Sequence, residues 1–138
     1  MQTGTDYLAI AQSIDDYHGW LLAHRPDPAL ASTVYAPGTR SYVEFTRNLS
    51  YLRAHDETLV SIGQHCSYVV STVQRALVTL RLHEVISEDR TLDRAGQVVH
   101  TVQYRAPNDY VIVLTRGADG RWRLADITQV DLDPAVVL

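Results

Sequence analysis

The chain has 138 residues, 46% hydrophobic and 20% charged, with a formal net charge of −4. That length fits one domain, residues 1–138, able to bury a substantial core. The acidic balance, with arginines scattered from Arg25, Arg40 and Arg47 onward, leaves no basic stripe and excludes nucleic acid as the expected partner.

Cys66 is the single cysteine, so neither an internal disulfide nor a thiolate metal cluster can form. This fits a reducing cytoplasm, the expected compartment, although an excised extracytoplasmic domain would read the same. The opening MQTGTDYLAI lacks the basic and apolar regions of a signal peptide. No apolar run approaches the ~20 residues of a membrane helix.

The first half reads as helices. Thr5 is the expected N-cap of a first helix, in which Tyr7, Ile10, Ile14, Tyr17 and Leu21 recur at helical spacing as one apolar stripe. His24-Arg25-Pro26 ends it, because the residue before proline is pushed out of the α region. Asp27-Pro28 restarts a short helix with aspartate at N-cap and proline at N1. Tyr35-Ala36-Pro37-Gly38 reads as a loop. Ser41 and Glu44 have capping-box spacing, so a third helix is expected from about Tyr42 to His55.

After Glu57 the period becomes two. Leu59 to Thr72 is expected as one long strand with a bulge at Gly63. Ala76, Val78, Leu80 and Leu82 form the inner face of the next strand, and Glu84 continues that series. Glu88 to Gly96 reads as a polar loop. Val98 to Arg105, Tyr110 to Arg116 and Trp122 to Val130 are further strands, the last two joined by a hairpin turn at Gly117 to Gly120. Strands joined by short loops imply an antiparallel meander, and helices before strands imply an α+β packing with helices on one sheet face.

This order, and the ending ADGRWRLADI, resemble the NTF2-like superfamily, a cone-shaped fold that includes SnoaL-like polyketide cyclases and ketosteroid isomerases. The segments RPDPALASTVY and ADGRWRLADI also resemble uncharacterised actinobacterial members. The resemblance implies three N-terminal helices packed on a curved, mostly antiparallel sheet of four to six strands, enclosing a pocket. Fold alone does not assign function.

In such a cone Trp122 and Leu124 should face inward, and Asp126, two residues further, should share their face. A carboxylate among apolar walls has a raised pKa and can exchange protons, and the resemblance implies such a role for a sheet aspartate. The competing reading is a carboxylate at the mouth, solvated or paired with an arginine. His100 shares a strand face with Val98, Val102 and Tyr104, so it is either a pocket acid–base group or a histidine held by backbone. Glu84, Tyr104 and Trp122 are further pocket candidates. Tyr17 is another, because ketosteroid isomerases place a pocket tyrosine on the first helix; ordinary core packing is its alternative. Where those isomerases carry a catalytic aspartate, this chain reads STVYAPGT, with Tyr35 and Ala36 at the acidic places. The linked aspartate-arginine-aspartate set of limonene epoxide hydrolases is not recognisable either.

His18, His24, His55 and His65 lack metal-ligand spacing, and no glycine-rich loop suits a phosphate, so no metal or cofactor is expected. Cys66 reads as a small buried hydrophobe. Two functions follow. One is a non-catalytic binding or assembly module holding a small apolar molecule or a protein partner. The alternative is a SnoaL-like cyclase or isomerase using Asp126, His100 or both as general acid and base. A homodimer is expected through the half-apolar outer series Leu77, Thr79, Arg81 and Val99, Thr101, Gln103. An enclosed cavity with two ionisable groups in contact favours the enzyme; a cone filled with side chains argues against it.

Overall fold

Helix α1 spans Tyr7–His24 and buries Ile10, Ala11, Ile14 and Leu21. These repeat every three or four residues and fill one stripe. The computed structural model describes residues 6–130. Thr5 lies outside them; Asp6 is the N-cap, accepting the Ala9 N–H at 3.2 Å. Asp27 caps a six-residue 3-10 helix, Pro28–Thr33, by accepting the Ala29 N–H. Helix α2 runs Arg40–Ala54 and buries Ser41, Phe45, Leu49 and Leu52. Its N-cap is Thr39 rather than Ser41: the Thr39 hydroxyl accepts the Tyr42 N–H, and the Ser41 hydroxyl points at Asp126 instead. The expected trio of helices is thus two α-helices and one short 3-10 turn. Among the described residues no helix is long and apolar enough to cross a membrane.

Seven antiparallel strands follow: β1 Thr58–Ile62, β2 His65–Gln74, β3 Leu77–Val85, β4 Glu88–Leu92, β5 Val98–Gln103, β6 Asn108–Arg116 and β7 Trp122–Gln129. They pair in the orders β2-β3-β6-β7 and β1-β4-β5. The two ladders are halves of one bent surface. The pairs His65↔Val85 and Ile62↔Glu88 keep a single register across the break, and the Ser87 N–H donates to the Ile62 carbonyl at 2.9 Å. Gly63, at φ +68°, makes the bend. This left-handed conformation is one that glycine adopts without penalty.

The bend changes which residues face inward. Below it Val78, Leu80, Leu82 and Ile86 are buried, and beyond it Asp89 and Thr91 take the inner side. The expected long strand from Leu59 is therefore two strands. The expected polar loop at Glu88 is strand β4, polar because it faces the inside of the cone. With β4 present, β3 pairs with β6, and β5 hangs on β4 as an edge strand with every residue exposed. The meander order inferred from pattern alone is corrected accordingly.

The sheet closes on the helices at β7. Leu124 bonds through its N–H to Val34 and through its carbonyl to Ala36, tying the segment after the 3-10 helix to the sheet edge. Beneath this tie lies Trp122, 3% exposed, meeting the Tyr7 ring edge-on at 5.6 Å. Trp122→Ala removes this aromatic anchor and should cost ~3–5 kcal/mol, as for other buried aromatics. Denaturant titration measures the loss, and an unshifted midpoint would contradict the placement.

Candidate functional site

Between α1, α2 and the concave sheet lies a cavity of about 800 Å³. Helix α1 contributes Asp15 and His18, which sit three residues apart and so on one helical face. Helix α2 contributes Glu44 and Phe45, and the strands contribute Ser61, Glu84, Asp89 and Tyr110. Tyr104, just beyond β5, completes the wall, held by its N–H to the Ser87 carbonyl.

The polar groups form two clusters. In the first, Asp15 accepts the Cys66 thiol at 3.7 Å, while Glu84 accepts the amides of Gln64 at 2.7 Å and Asn108 at 3.4 Å. In the second, Asp89 accepts the Ser61 hydroxyl at 2.6 Å and the Tyr104 hydroxyl at 2.7 Å. Burial, then the neighbouring Glu84, pushes the Asp15 carboxyl up to about 6, while the thiol hydrogen bond pulls weakly the other way. Burial pushes the Cys66 thiol up to about 12, so it is neutral and unreactive. His18 is stacked on Phe45 at 4.5 Å, and burial lowers it to about 4 despite the opposing pull of Asp89. It stays neutral near physiological pH.

Of the residues singled out in the sequence, Glu84 and Tyr104 line this cavity. Trp122 packs in the core beneath it. Tyr17 faces solvent at 37% exposure, stacked on Trp20; His18, one residue on, takes the inward place expected of it. His100 is exposed on β5, paired with β4, where no helix of the cone covers it. Asp126 does not share the face of Leu124. A bulge at Ala125 separates Val113↔Asp126 from Leu114↔Leu124, so Ile127 falls on the inner side and Asp126 on the other. There Asp126 accepts the Thr128 hydroxyl at 2.8 Å and lies 3.5 Å from the Ser41 hydroxyl. Asp126 and His100 stand on different ladders and do not meet. Pattern reading missed Asp15 and His18. Their signal was two polar residues, i+4 from Ala11 and Ile14, on an otherwise apolar stripe.

No protein-family model matches the chain, and no curated protein matches it. Solved structures do. The intermembrane-space region of the chloroplast protein ARC6 is similar at TM-score 0.63 with 12% identity, covering 94% of this chain and 99% of that one. ActVI-ORFA from Streptomyces coelicolor is similar at 0.54 with 17% identity, covering 90% and 95%. A protein from Catenulispora acidiphila, solved in complex with S-DNPA, is similar at 0.50 with 14% identity, covering 86% and 88%. Together with helices laid on a bent antiparallel sheet around a cavity, these likenesses decide the fold. The chain has the NTF2-like cone fold. Identities this low carry the architecture of the NTF2-like cone and no activity.

Asp15 and His18 have opposite effects on stability across pH. Asp15 holds its proton in the fold up to about 6, against an ordinary 3.8, so its contribution is fully present below 3.8 and is lost as pH rises through 6. His18 resists protonation down to about 4, against 6.5, so its contribution is present above 6.5 and is lost as pH falls through 4. Each slope is on the order of 2–3 kcal/mol and the two oppose each other between pH 4 and 6. Denaturation of Asp15→Asn should show stability falling on acidification through this window. His18→Phe should show it falling as pH rises. Parallel profiles for both variants and the unaltered protein would contradict the assignment.

Proposed function

We propose that the NTF2-like cone is a binding cavity for one small, largely apolar organic molecule. The observation that carries this is the cavity itself. Its walls combine aromatic and aliphatic residues, including Tyr35, Phe45, Leu59 and Leu82, with polar groups around Asp15–Glu84, around Asp89 and at the Arg40–Glu44 mouth. That is the usual anatomy of a small-molecule site: apolar walls with a few groups that orient the ligand. The complex of the similar Catenulispora protein with S-DNPA supports the reading for this architecture.

A proton-transfer reading is favoured by one observation. Asp15, not Asp126 or His100, places a carboxyl with a pKa raised to about 6 on the cavity wall beside Glu84. A group with that pKa suits general acid–base work near neutrality. The acid–base role first read for Asp126 and His100 would act outside this cavity.

N-phenyl-1-naphthylamine, a neutral probe that brightens in apolar surroundings, should bind saturably at one site per chain. Ile86→Trp, between β3 and β4, and Thr91→Trp, on β4, each fill the cavity from a different point and should weaken binding at least tenfold while the protein still melts cooperatively. Absence of saturable binding to the unaltered protein would overturn the reading.

We also infer a homodimer formed through the sheet's outward surface and β5. Supporting it are the exposed Val69 at 65% and Leu77 at 40% on the outward face of β2 and β3, and Val98 and Val99 at 51% each on β5. Light scattering should give twice the chain mass, and Thr101→Arg should shift it towards the monomer. A monomer mass at all concentrations would reject the pairing.

A further inference from the structure

The walls of the cavity carry Asp15, Glu44, Glu84 and Asp89 but one cationic side chain, Arg40. Arg40 is committed to Glu44, with Nε 3.0 Å from its carboxylate, and is itself largely exposed at the mouth. Asp15, Glu84 and Asp89 therefore have no cationic partner among the described residues. Their hydrogen bonds come from neutral groups: the Cys66 thiol, the Gln64 and Asn108 amides, and the Ser61 and Tyr104 hydroxyls. Carboxylates withdrawn from water are costly unless a positive charge accompanies them. A purely structural cluster would be expected to recruit an arginine, and the chain places its arginines elsewhere.

His18 points the same way independently. Its side chain is half-buried and lines the cavity. It stacks on Phe45 and meets Tyr35 edge-on, yet neither ring nitrogen has a hydrogen-bond partner among the described residues. A ring nitrogen without a partner at a cavity wall is poised to bond whatever enters.

We propose that the cavity selects an organic cation, an aryl- or alkylammonium whose charged nitrogen lodges beside Asp15 and Glu84, with Asp89 lining the same space. The proposal rests on the reading of the cone as a small-molecule site and names the class of molecule. The ammonium supplies the missing positive charge and donates an N–H to the neutral His18 ring. Its substituents lie against Tyr35, Phe45 and Tyr110, whose ring faces attract cations. A metal ion fits less well, because no three histidine, cysteine or carboxylate side chains among the described residues converge as a metal site requires. An anionic ligand would meet three unpaired carboxylates.

The test compares three probes of one shape by calorimetric titration at pH 7.5 and low salt: 2-naphthylmethylammonium, neutral 2-naphthylmethanol and anionic 2-naphthoate. The ammonium should bind at least tenfold tighter than the alcohol, and the carboxylate should bind weakest. In Asp15→Asn and in Glu84→Gln, the ratio of ammonium to alcohol affinity should fall at least fivefold. Two variants on different elements keep the test valid if one fails to fold. Equal or tighter binding of the alcohol or the naphthoate overturns the cation and leaves the cavity reading standing. An ammonium preference that survives both substitutions also overturns the assignment. Failure of all three probes to bind overturns both readings.

Discussion

The bend at Gly63 is the constraint on which the rest of the molecule depends. Two long antiparallel strands, continuous in register, turn together where Gly63 faces Ser87. A Cβ at Gly63 would come within 2.6 Å of the Ser87 hydroxyl oxygen, and the backbone there lies in the region that only glycine enters freely. Without the bend, β1 and β4 would continue the plane of β2 and β3. With it, they rise beside α1 and α2 and become walls of a cavity.

The change of inward parity at the bend places the chemistry. Apolar residues at even positions of β3 serve the core, and polar residues at odd positions of β4 serve the cavity. Glu84 and Asp89 sit on opposite sides of this change and still face the same space. Helix α1 brings Asp15 and His18 to it from the other side. The site is thus assembled from segments far apart in sequence, and the pKa values of Asp15 and His18 are set by enclosure more than by any single partner. Such perturbed groups tend to mark functional sites.

Much of the architecture was legible in the sequence because periodicity is local. The α1 stripe, the Asp27-Pro28 restart, the alternation from Val78 to Leu82 and the Gly117–Gly120 turn all follow from side chains within a few residues of each other. The same alternation runs on to Glu84, which lines the cavity. What escaped were features decided at a distance. The bulge at Ala125 carries no glycine or proline and arises from pairing with β6, so it could not be foreseen, and it moved Asp126 off the expected face. Strand β4 looked like a loop because its sequence EDRTL is polar on the side that ordinarily seeks a core. Asp15 and His18 looked like interruptions of an apolar stripe, when the stripe there borders open space.

Strand β5 has a further consequence for how this protein behaves in quantity. Its six residues, VVHTVQ, include three valines and no formal charge, proline or glycine, and both of its faces are open. One of its edges pairs with β4, and no strand among the described residues is paired to the other. Natural sheets usually blunt such edges with lysines, prolines or bulges, because an open uncharged edge templates growth of the sheet by further chains. Here Arg94 and Arg105 stand on either side of the strand in sequence, in the position of gatekeepers. A chain docked on this edge would also shield it from disordered self-association. Neutralising either arginine removes a barrier to cross-β growth without touching the cavity.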